Sequence, residues 1–166
     1  MANKLILNGN ANSALTASTA AGAALEGTGL SADQLLGRVH TVAIVDSTGV
    51  MTADHRTRIS AAIQTLDESL APSGVRLIEQ DVASSGIADV RISFADTSAC
   101  GTAAHGVLRC TLEGDVILIA GWDFFLGADP VDIRADQYDF QTIISHELGH
   151  AAGLEHSTDA DSLMYA

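Results

Sequence analysis

The sequence predicts a domain of the α/β type (α+β), with a mixed, twisted sheet of about five strands and two long helices. Three observations lead to this prediction. Five short stretches are rich in β-branched or aliphatic residues. A helix with one apolar face separates the first two stretches, and a second helix follows the last. A helix between two strands is the usual crossover connecting parallel neighbours of one sheet.

The first strand and the first helix have clear local signals. Residues 39–45 are rich in β-branched side chains and predict a strand. Thr52 is a plausible helix N-cap, and Pro72 to Gly74 supply residues that end a helix. The helix between them carries one apolar face, formed by Ile59, Ile63, Leu66 and Leu70.

Four further strands are predicted, at residues 75–80, 89–94, 106–112 and 115–120. The last is almost purely apolar, so we expect it in the centre of the sheet or covered on both faces. The strand before it mixes apolar and charged residues and is better suited to an edge of the sheet.

Composition and charge exclude several classes of partner. The chain has 166 residues, of which 47% are hydrophobic, which is enough for one domain with a core. Its net charge is −13 and Lys4 is its only lysine, which disfavours nucleic acid and anionic membrane surfaces. No apolar run approaches the roughly 20 residues of a membrane span. No signal peptide is evident, since the apolar run 5–7 is too short.

The most informative segment is residues 146–156, which read HELGHAAGLEH. His146 and His150 are four residues apart, so on a helix both project from one face and can share a metal ion. Gly153 can adopt a positive φ and turn the chain, which returns His156 as a third ligand. Three neutral imidazoles with one open coordination position are typical of a catalytic zinc site.

Glu147 follows the first histidine on the same helix. Its position predicts that it acts on metal-activated water as a general base and does not ligate the metal. Two other interpretations stay open. The segment could be an ordinary helix with surface histidines, or a site that binds zinc without catalytic activity.

The pattern H-E-x-x-H-x-x-G-x-x-H with a downstream methionine turn resembles the metzincin zinc proteases. Within them it is most similar to the matrixins, and the matching positions are Gly149, Leu154, Ser157, Leu163, Met164 and Tyr165. The resemblance implies a secreted zinc endopeptidase that acts on peptide or protein substrates. It also implies an apolar floor beneath the zinc, formed by Met164.

The resemblance further implies that an antiparallel edge strand above the cleft binds extended substrate, and it places Val107, Leu108 and Arg109 there. An edge strand that binds nothing is the alternative. For a secreted protease we expect Cys100 and Cys110 to form a disulfide, and the alternative is two buried thiols.

Aspartates are frequent in the loop between the last strand and the second helix, at Asp123, Asp129, Asp132, Asp136 and Asp139. Clustered carboxylates could hold a calcium ion, as matrixins do near their last strand. The alternative is a solvated loop in which Asp139 caps the following helix.

We expect the chain to consist of two segments. Residues 1–37 form a loosely structured N-terminal segment or a propeptide remnant, and residues 38–166 form a metzincin-like catalytic domain. Matrixins continue past the methionine turn with a pocket wall and a last helix, so we expect residues 38–166 to lack most of the C-terminal subdomain. The alternative to an active protease is therefore a non-catalytic zinc-binding fragment or a latent form.

Overall fold

The computed structural model describes residues 38–81, 88–112 and 114–165, and the predicted N-terminal segment 1–37 lies outside these residues. The helices are α1 (Ala53–Leu70) and α2 (Phe140–Ala151). The strands are β1 (Val39–Ile44), β2 (Arg76–Gln80), β3 (Val90–Ala95), β4 (Thr97–Ser98), β5 (Gly101–Thr102), β6 (Arg109–Leu112), β7 (Asp115–Ile119), β8 (Phe124–Phe125) and β9 (Tyr138–Asp139).

Five strands form one mixed sheet in the order β2-β1-β3-β7-β6. The first four are parallel, and β6 pairs antiparallel with β7 at the edge. Helix α1 connects the parallel neighbours β1 and β2, as predicted. The predicted fold class is therefore confirmed, whereas the two-stranded pairs β4–β5 and β8–β9 were not predicted.

Helix α1 begins as the sequence indicates. The Thr52 side chain accepts a hydrogen bond from the backbone N–H of His55 at 3.3 Å, and His55 Nδ1 accepts the N–H of Thr52 at 3.2 Å. This reciprocal capping box satisfies two N–H groups that a helix start leaves unpaired. The helix ends at Leu70, and Gly74 adopts φ +80° after one 3₁₀ turn. That positive φ lets the chain reverse into β2.

One apolar core joins both helices to the sheet, and α1 packs against α2. Its fully buried side chains include Val42, Ile59, Leu66, Ile92, Leu118, Phe140, Ile144 and Leu148. Each such side chain stabilises the fold by about 1.5–3 kcal/mol relative to exposure. Within the part of the chain that the structure describes, neither helix combines the length and apolarity needed to cross a membrane.

Strand β6 begins at Arg109, three residues later than the predicted start at residue 106, so Val107 and Leu108 precede the strand. The cause is competing hydrogen bonding. The Val107 N–H donates to the Thr102 carbonyl at 3.1 Å, and its carbonyl accepts from Trp122 Nε1 at 2.8 Å. Leu108 remains next to the sheet, because its carbonyl accepts the N–H of Ile119 in β7 at 3.0 Å. The edge position and antiparallel direction were predicted correctly.

Candidate active site

Helix α2 carries the first two histidines of the motif and the glutamate. It begins at Asp139, whose carboxylate accepts the Thr142 backbone N–H at 3.1 Å. Asp139 therefore caps this helix, as in the alternative to a calcium-binding loop. Apolar residues on α2 face the core, but His146 and Glu147 are themselves only 5% and 4% exposed. Burial of two polar side chains on one helix requires partners for both.

The end of α2 turns the chain toward the histidines. Gly153 adopts φ +92°, a conformation that strains residues with a Cβ. Its N–H donates to the His150 carbonyl and the Leu154 N–H to the Gly149 carbonyl, both at 2.8 Å. These bonds satisfy the last carbonyls of the helix and direct the chain back, so that His156 lies beside His150.

His146, His150 and His156 form the histidine cluster. The Nε2 atom of His150 lies 3.1 Å from Nε2 of His146 and 3.1 Å from Nε2 of His156. One nitrogen from each of the three rings lies within 4.8 Å of the other two. The structure thus brings together all three residues that the motif predicts as ligands.

Backbone carbonyls orient two of the rings. Nδ1 of His146 lies 2.8 Å from the Leu163 carbonyl, and Nδ1 of His150 lies 2.9 Å from the Leu154 carbonyl. Since a carbonyl oxygen can only accept, each Nδ1 carries the proton. The neutral tautomer then leaves an Nε2 lone pair directed into the cluster.

The cluster fits zinc. Converging lone pairs repel one another unless a cation lies between them. Tetrahedral zinc, with Zn–N distances of about 2.0–2.1 Å, holds its ligand nitrogens about 3.3–3.4 Å apart, close to the two 3.1 Å separations observed. Histidine Nδ1–H bonded to a backbone carbonyl is also the usual support for a metal-binding imidazole.

Electrostatics keep His146 in the form that binds metal. Burial is the main cause that lowers the pKa of His146 to about 4, and the nearby Arg109 and His150 lower it further. The hydrogen bond to Leu163 and the charge of Glu147 oppose this shift. His146 is therefore neutral at physiological pH, which is the form that ligates.

Glu147 contacts the edge strand. Its Oε1 accepts a hydrogen bond from Arg109 Nε, forming an ion pair, and its Oε2 accepts the Thr111 hydroxyl. The Arg109 side chain is 33% exposed, whereas that of Glu147 is only 5% exposed. Strand β6 thus engages both oxygens of this carboxylate.

An open cleft of about 460 Å³ lies beside β6 and α2, and Glu147, His150 and His156 line it together with residues 106–111. The outer edge of β6 faces no other strand among the described residues. The Ile119 N–H donates to the Leu108 carbonyl opposite it at 3.0 Å. Because antiparallel pairs alternate, the backbone N–H and C=O of Arg109 and Thr111 point outward from the sheet.

Met164 lies beneath the helix that carries the cluster and is 3% exposed. A Cβ on Gly149 would lie 2.4 Å from Met164 Sδ. The glycine is therefore the residue that lets the methionine approach the helix. The Met164 carbonyl also accepts the Ser157 N–H at 2.8 Å, which ties the two segments together after the motif.

The remaining predictions concern cysteines and aspartates. Cys100 and Cys110 form a disulfide with a Cα–Cα distance of 5.8 Å, which confirms the prediction. The loop aspartates act mostly as caps and ion-pair partners: Asp139 caps α2, Asp129 caps a 3₁₀ turn, and Asp123 pairs with Arg134. Among the described residues, no group of three metal-binding side chains includes these aspartates.

Sequence reasoning missed Thr111, which contacts Glu147, and the Leu154 and Leu163 carbonyls, which orient the histidines. Thr111 lies two residues after Arg109 on the predicted edge strand, so strand periodicity could have placed both side chains on one face. Every residue has a backbone carbonyl, so the sequence does not indicate which carbonyls orient the histidines.

Comparisons with known proteins show which sequences and structures this chain is similar to. The chain is 37% identical over 54 residues to matrix metalloproteinase-B of Caenorhabditis elegans, covering 32% of this chain and 10% of that protein. It is 31% identical over 116 residues to human matrix metalloproteinase-20, covering 64% of this chain and 22% of that protein. Two structures of myroilysin, 20% and 22% identical, cover 72% of this chain and 50% and 44% of theirs, with TM-scores of 0.42 and 0.41. Residues 38–166 match the peptidase family M10, Matrixin, so the chain belongs to the matrixin family.

Proposed function

We propose that this matrixin is a zinc-dependent endopeptidase that hydrolyses peptide bonds of peptide or protein substrates. One observation carries the proposal: the Nε2 atoms of three histidines converge next to an open cleft that Glu147, His150 and His156 line. Family membership supports it, because the family comprises metallopeptidases. The chain spans about 10% and 22% of the length of the two curated relatives.

His146, His150 and His156 would hold the zinc through their converging Nε2 atoms. Zinc, when bound, supplies a Lewis acid that polarises the scissile carbonyl and lowers the pKa of water to around 7. Glu147 accepts the proton of the attacking water and returns a proton to the leaving amine. Because water is the nucleophile, no side chain forms a covalent bond to the substrate.

Strand β6 binds the peptide by adding it to the sheet edge. The outward N–H and C=O groups of Arg109 and Thr111 pair with the peptide backbone, while Val107 and Leu108 line the adjoining part of the cleft. This proposal keeps Arg109 from the predicted substrate strand Val107, Leu108 and Arg109, adds Thr111, and assigns Val107 and Leu108 to the lining of the cleft. Met164 supports the helix from beneath as an apolar floor.

The alternative is a latent or non-catalytic zinc-binding form. A specific contact favours it: both oxygens of Glu147 accept hydrogen bonds from β6. A general base needs an accepting oxygen within reach of the water. Each of these contacts takes one lone-pair site of Glu147, so it competes with the attacking water for the carboxylate.

We place the protein outside the cell. The support is the Cys100–Cys110 disulfide, because disulfides persist mainly in oxidising compartments. Retention of two free thiols in protein recovered from its natural compartment would contradict this location.

Metal analysis and a cleavage assay on the same protein test the function. We expect one zinc per chain, cleavage of casein, and loss of that cleavage in a chelator. Glu147→Gln should retain zinc and lose activity by about 10²-fold or more, while the control Glu68→Gln, an exposed change on α1, should match the wild type.

Three outcomes distinguish the interpretations. Undiminished cleavage by zinc-loaded Glu147→Gln would show that Glu147 is not the base. Stoichiometric zinc without cleavage by the wild type would favour the latent form. Failure to bind zinc would contradict both.

A further inference from the structure

The contact between Arg109 and Glu147 opposes the chemistry proposed for the cleft. Arg109 Nε donates a hydrogen bond to Oε1 of Glu147, and the Thr111 hydroxyl donates one to Oε2. A carboxylate has about four lone-pair sites, and these two hydrogen bonds take one site on each oxygen, which leaves the attacking water fewer directions from which to reach Glu147. A substrate that removes Arg109 from Glu147 would therefore activate its own hydrolysis.

Arg109 has the capacity to bind a second anion. Only its Nε donates to Glu147, and Nη1 and Nη2 make no hydrogen bond to any residue that the structure describes. One third of the side chain is exposed, and it is the only arginine or lysine among the described residues that line the cleft. A guanidinium offers a planar pair of donors that matches a carboxylate.

The same residues also face the incoming peptide. The backbone groups of Arg109 and Thr111 point to the outer edge of β6, and their side chains hold Glu147. A peptide strand paired at this edge places side chains within roughly 4.5–5.5 Å, Cβ to Cβ, of the residues opposite them. Peptide binding and release of Glu147 thus involve one short stretch of strand.

Other arginines of the chain show what a purely structural ion pair looks like. Arg91 pairs with Asp115 through two hydrogen bonds of 2.7 and 2.8 Å, and their side chains are 59% and 36% exposed. That pair lies outside the cleft. The Arg109 pair differs because its acidic partner is buried and is the proposed base.

We propose that Arg109 determines specificity: a carboxylate side chain of the peptide bound along β6 takes over the Arg109 guanidinium and frees Glu147. The preferred substrates are then peptides with an acidic residue near the scissile bond. This inference rests on the proposed endopeptidase function.

The test uses pairs of peptides that differ only by glutamate or glutamine at one position, scanned across the residues flanking the cleavage site. Wild-type protein, Arg109→Gln and the charge-matched control Arg91→Gln are compared for kcat and KM. At one position the wild type should cleave the glutamate peptide with a kcat at least tenfold higher. Arg109→Gln should reduce this ratio below twofold by raising kcat on the glutamine peptide, and Arg91→Gln should keep the wild-type ratio.

Three results would overturn the inference: a wild-type ratio below twofold at every position, a ratio that survives in Arg109→Gln, or a loss of kcat on both peptides in Arg109→Gln. The last would mean that Arg109 assists Glu147. If Arg109→Gln fails to fold, the ratio of wild-type kcat values on the glutamate and glutamine peptides still tests the inference.

A binding measurement separates this inference from the proposed function. In chelator, where hydrolysis cannot occur, labelled glutamate peptides should bind metal-free wild type at least threefold tighter than glutamine peptides by fluorescence anisotropy. Arg91→Gln should retain this preference and Arg109→Gln should lose it. If zinc-loaded wild type cleaves no peptide, the endopeptidase function fails, and equal binding of both peptides would in addition reject the role of Arg109.

Discussion

Substitution of Gly149 by alanine sets two effects of known sign against each other. Gly149 lies inside α2, where alanine is favoured over glycine by roughly 0.5–1 kcal/mol because the unfolded chain loses less backbone entropy. The added Cβ, however, would lie 2.4 Å from Met164 Sδ and 3.2 Å from Met164 Cε. Which effect dominates depends on whether Met164 can move.

Met164 has little freedom to move. Met164 is 3% exposed, and its carbonyl accepts a hydrogen bond from the Ser157 N–H. Forcing an extra methyl group into such a packed site costs about 1–3 kcal/mol. After subtraction of the helix-propensity gain, Gly149→Ala should lower the free energy of unfolding by about 0.5–2 kcal/mol.

The sign should reverse when the obstruction is removed. In a Met164→Ala background, Gly149→Ala meets no sulfur and should raise the free energy of unfolding by about 0.5–1 kcal/mol. Met164→Ala alone should cost about 2–5 kcal/mol, since it leaves a cavity.

Urea unfolding of the wild type, both single variants and the double variant, all metal-free, closes the double-mutant cycle. Stabilisation of the wild-type background by Gly149→Ala would refute the steric argument. An equal cost in both backgrounds would refute the assignment of Met164 as the obstructing group.

Three further predictions concern other parts of the fold. Replacing Cys100 and Cys110 by serine should lower the free energy of unfolding by about 3 kcal/mol or less, because an 11-residue loop is short; no change between oxidised and reduced wild type would contradict this. Burial lowers the pKa of His40 below 6.5, and its Nε2 has no hydrogen-bond partner among the described residues. The folded state therefore resists protonation, so this contribution to stability is present above pH 6.5 and is lost as pH falls below it; His40→Leu should flatten that decline in urea midpoints, and an unchanged decline would exclude His40. Gly153→Ala forces a residue with a Cβ to φ +92°, which should cost about 1–2 kcal/mol and weaken zinc binding measured by competition with a chromophoric chelator; unchanged zinc affinity would show that the turn tolerates alanine.

The parts of the fold that sequence predicts well have local causes. Thr52 and the apolar residues of α1 act within a few residues of one another, so the helix start and its buried face follow from their spacing. The three histidines are equally local, because a helix and one glycine turn suffice to bring them together. The apolar run of β7 also identified a strand inside the sheet.

The parts that sequence missed depend on distant contacts. The start of β6 is set by hydrogen bonds of Val107 to Thr102 and Trp122, which no local propensity encodes. The ion pair between Arg109 and Glu147 joins residues 38 positions apart. The sequence alone suggests substrate binding for Arg109 and proton transfer for Glu147. Only the structure shows that the two side chains are in contact, so that Arg109 competes with water for Glu147.

The hydrogen bond between His146 and the Leu163 carbonyl links the stability of the last described segment to the histidine cluster. It orients His146, and the neighbouring Met164 carbonyl accepts the N–H of Ser157, which directly follows His156, so the last described segment contacts two of the proposed zinc ligands or their neighbours. A ligand that binds only the folded state adds RT ln(1 + [L]/Kd) to its stability, about 2.7 kcal/mol at a hundredfold excess over Kd. If the cluster binds zinc as proposed, we expect local opening of this segment to depend on the concentration of free zinc. Amide hydrogen exchange at Ser157 and Tyr165 would measure that concentration dependence directly, and the protein's resistance to unfolding becomes a property of the chain and its solution together.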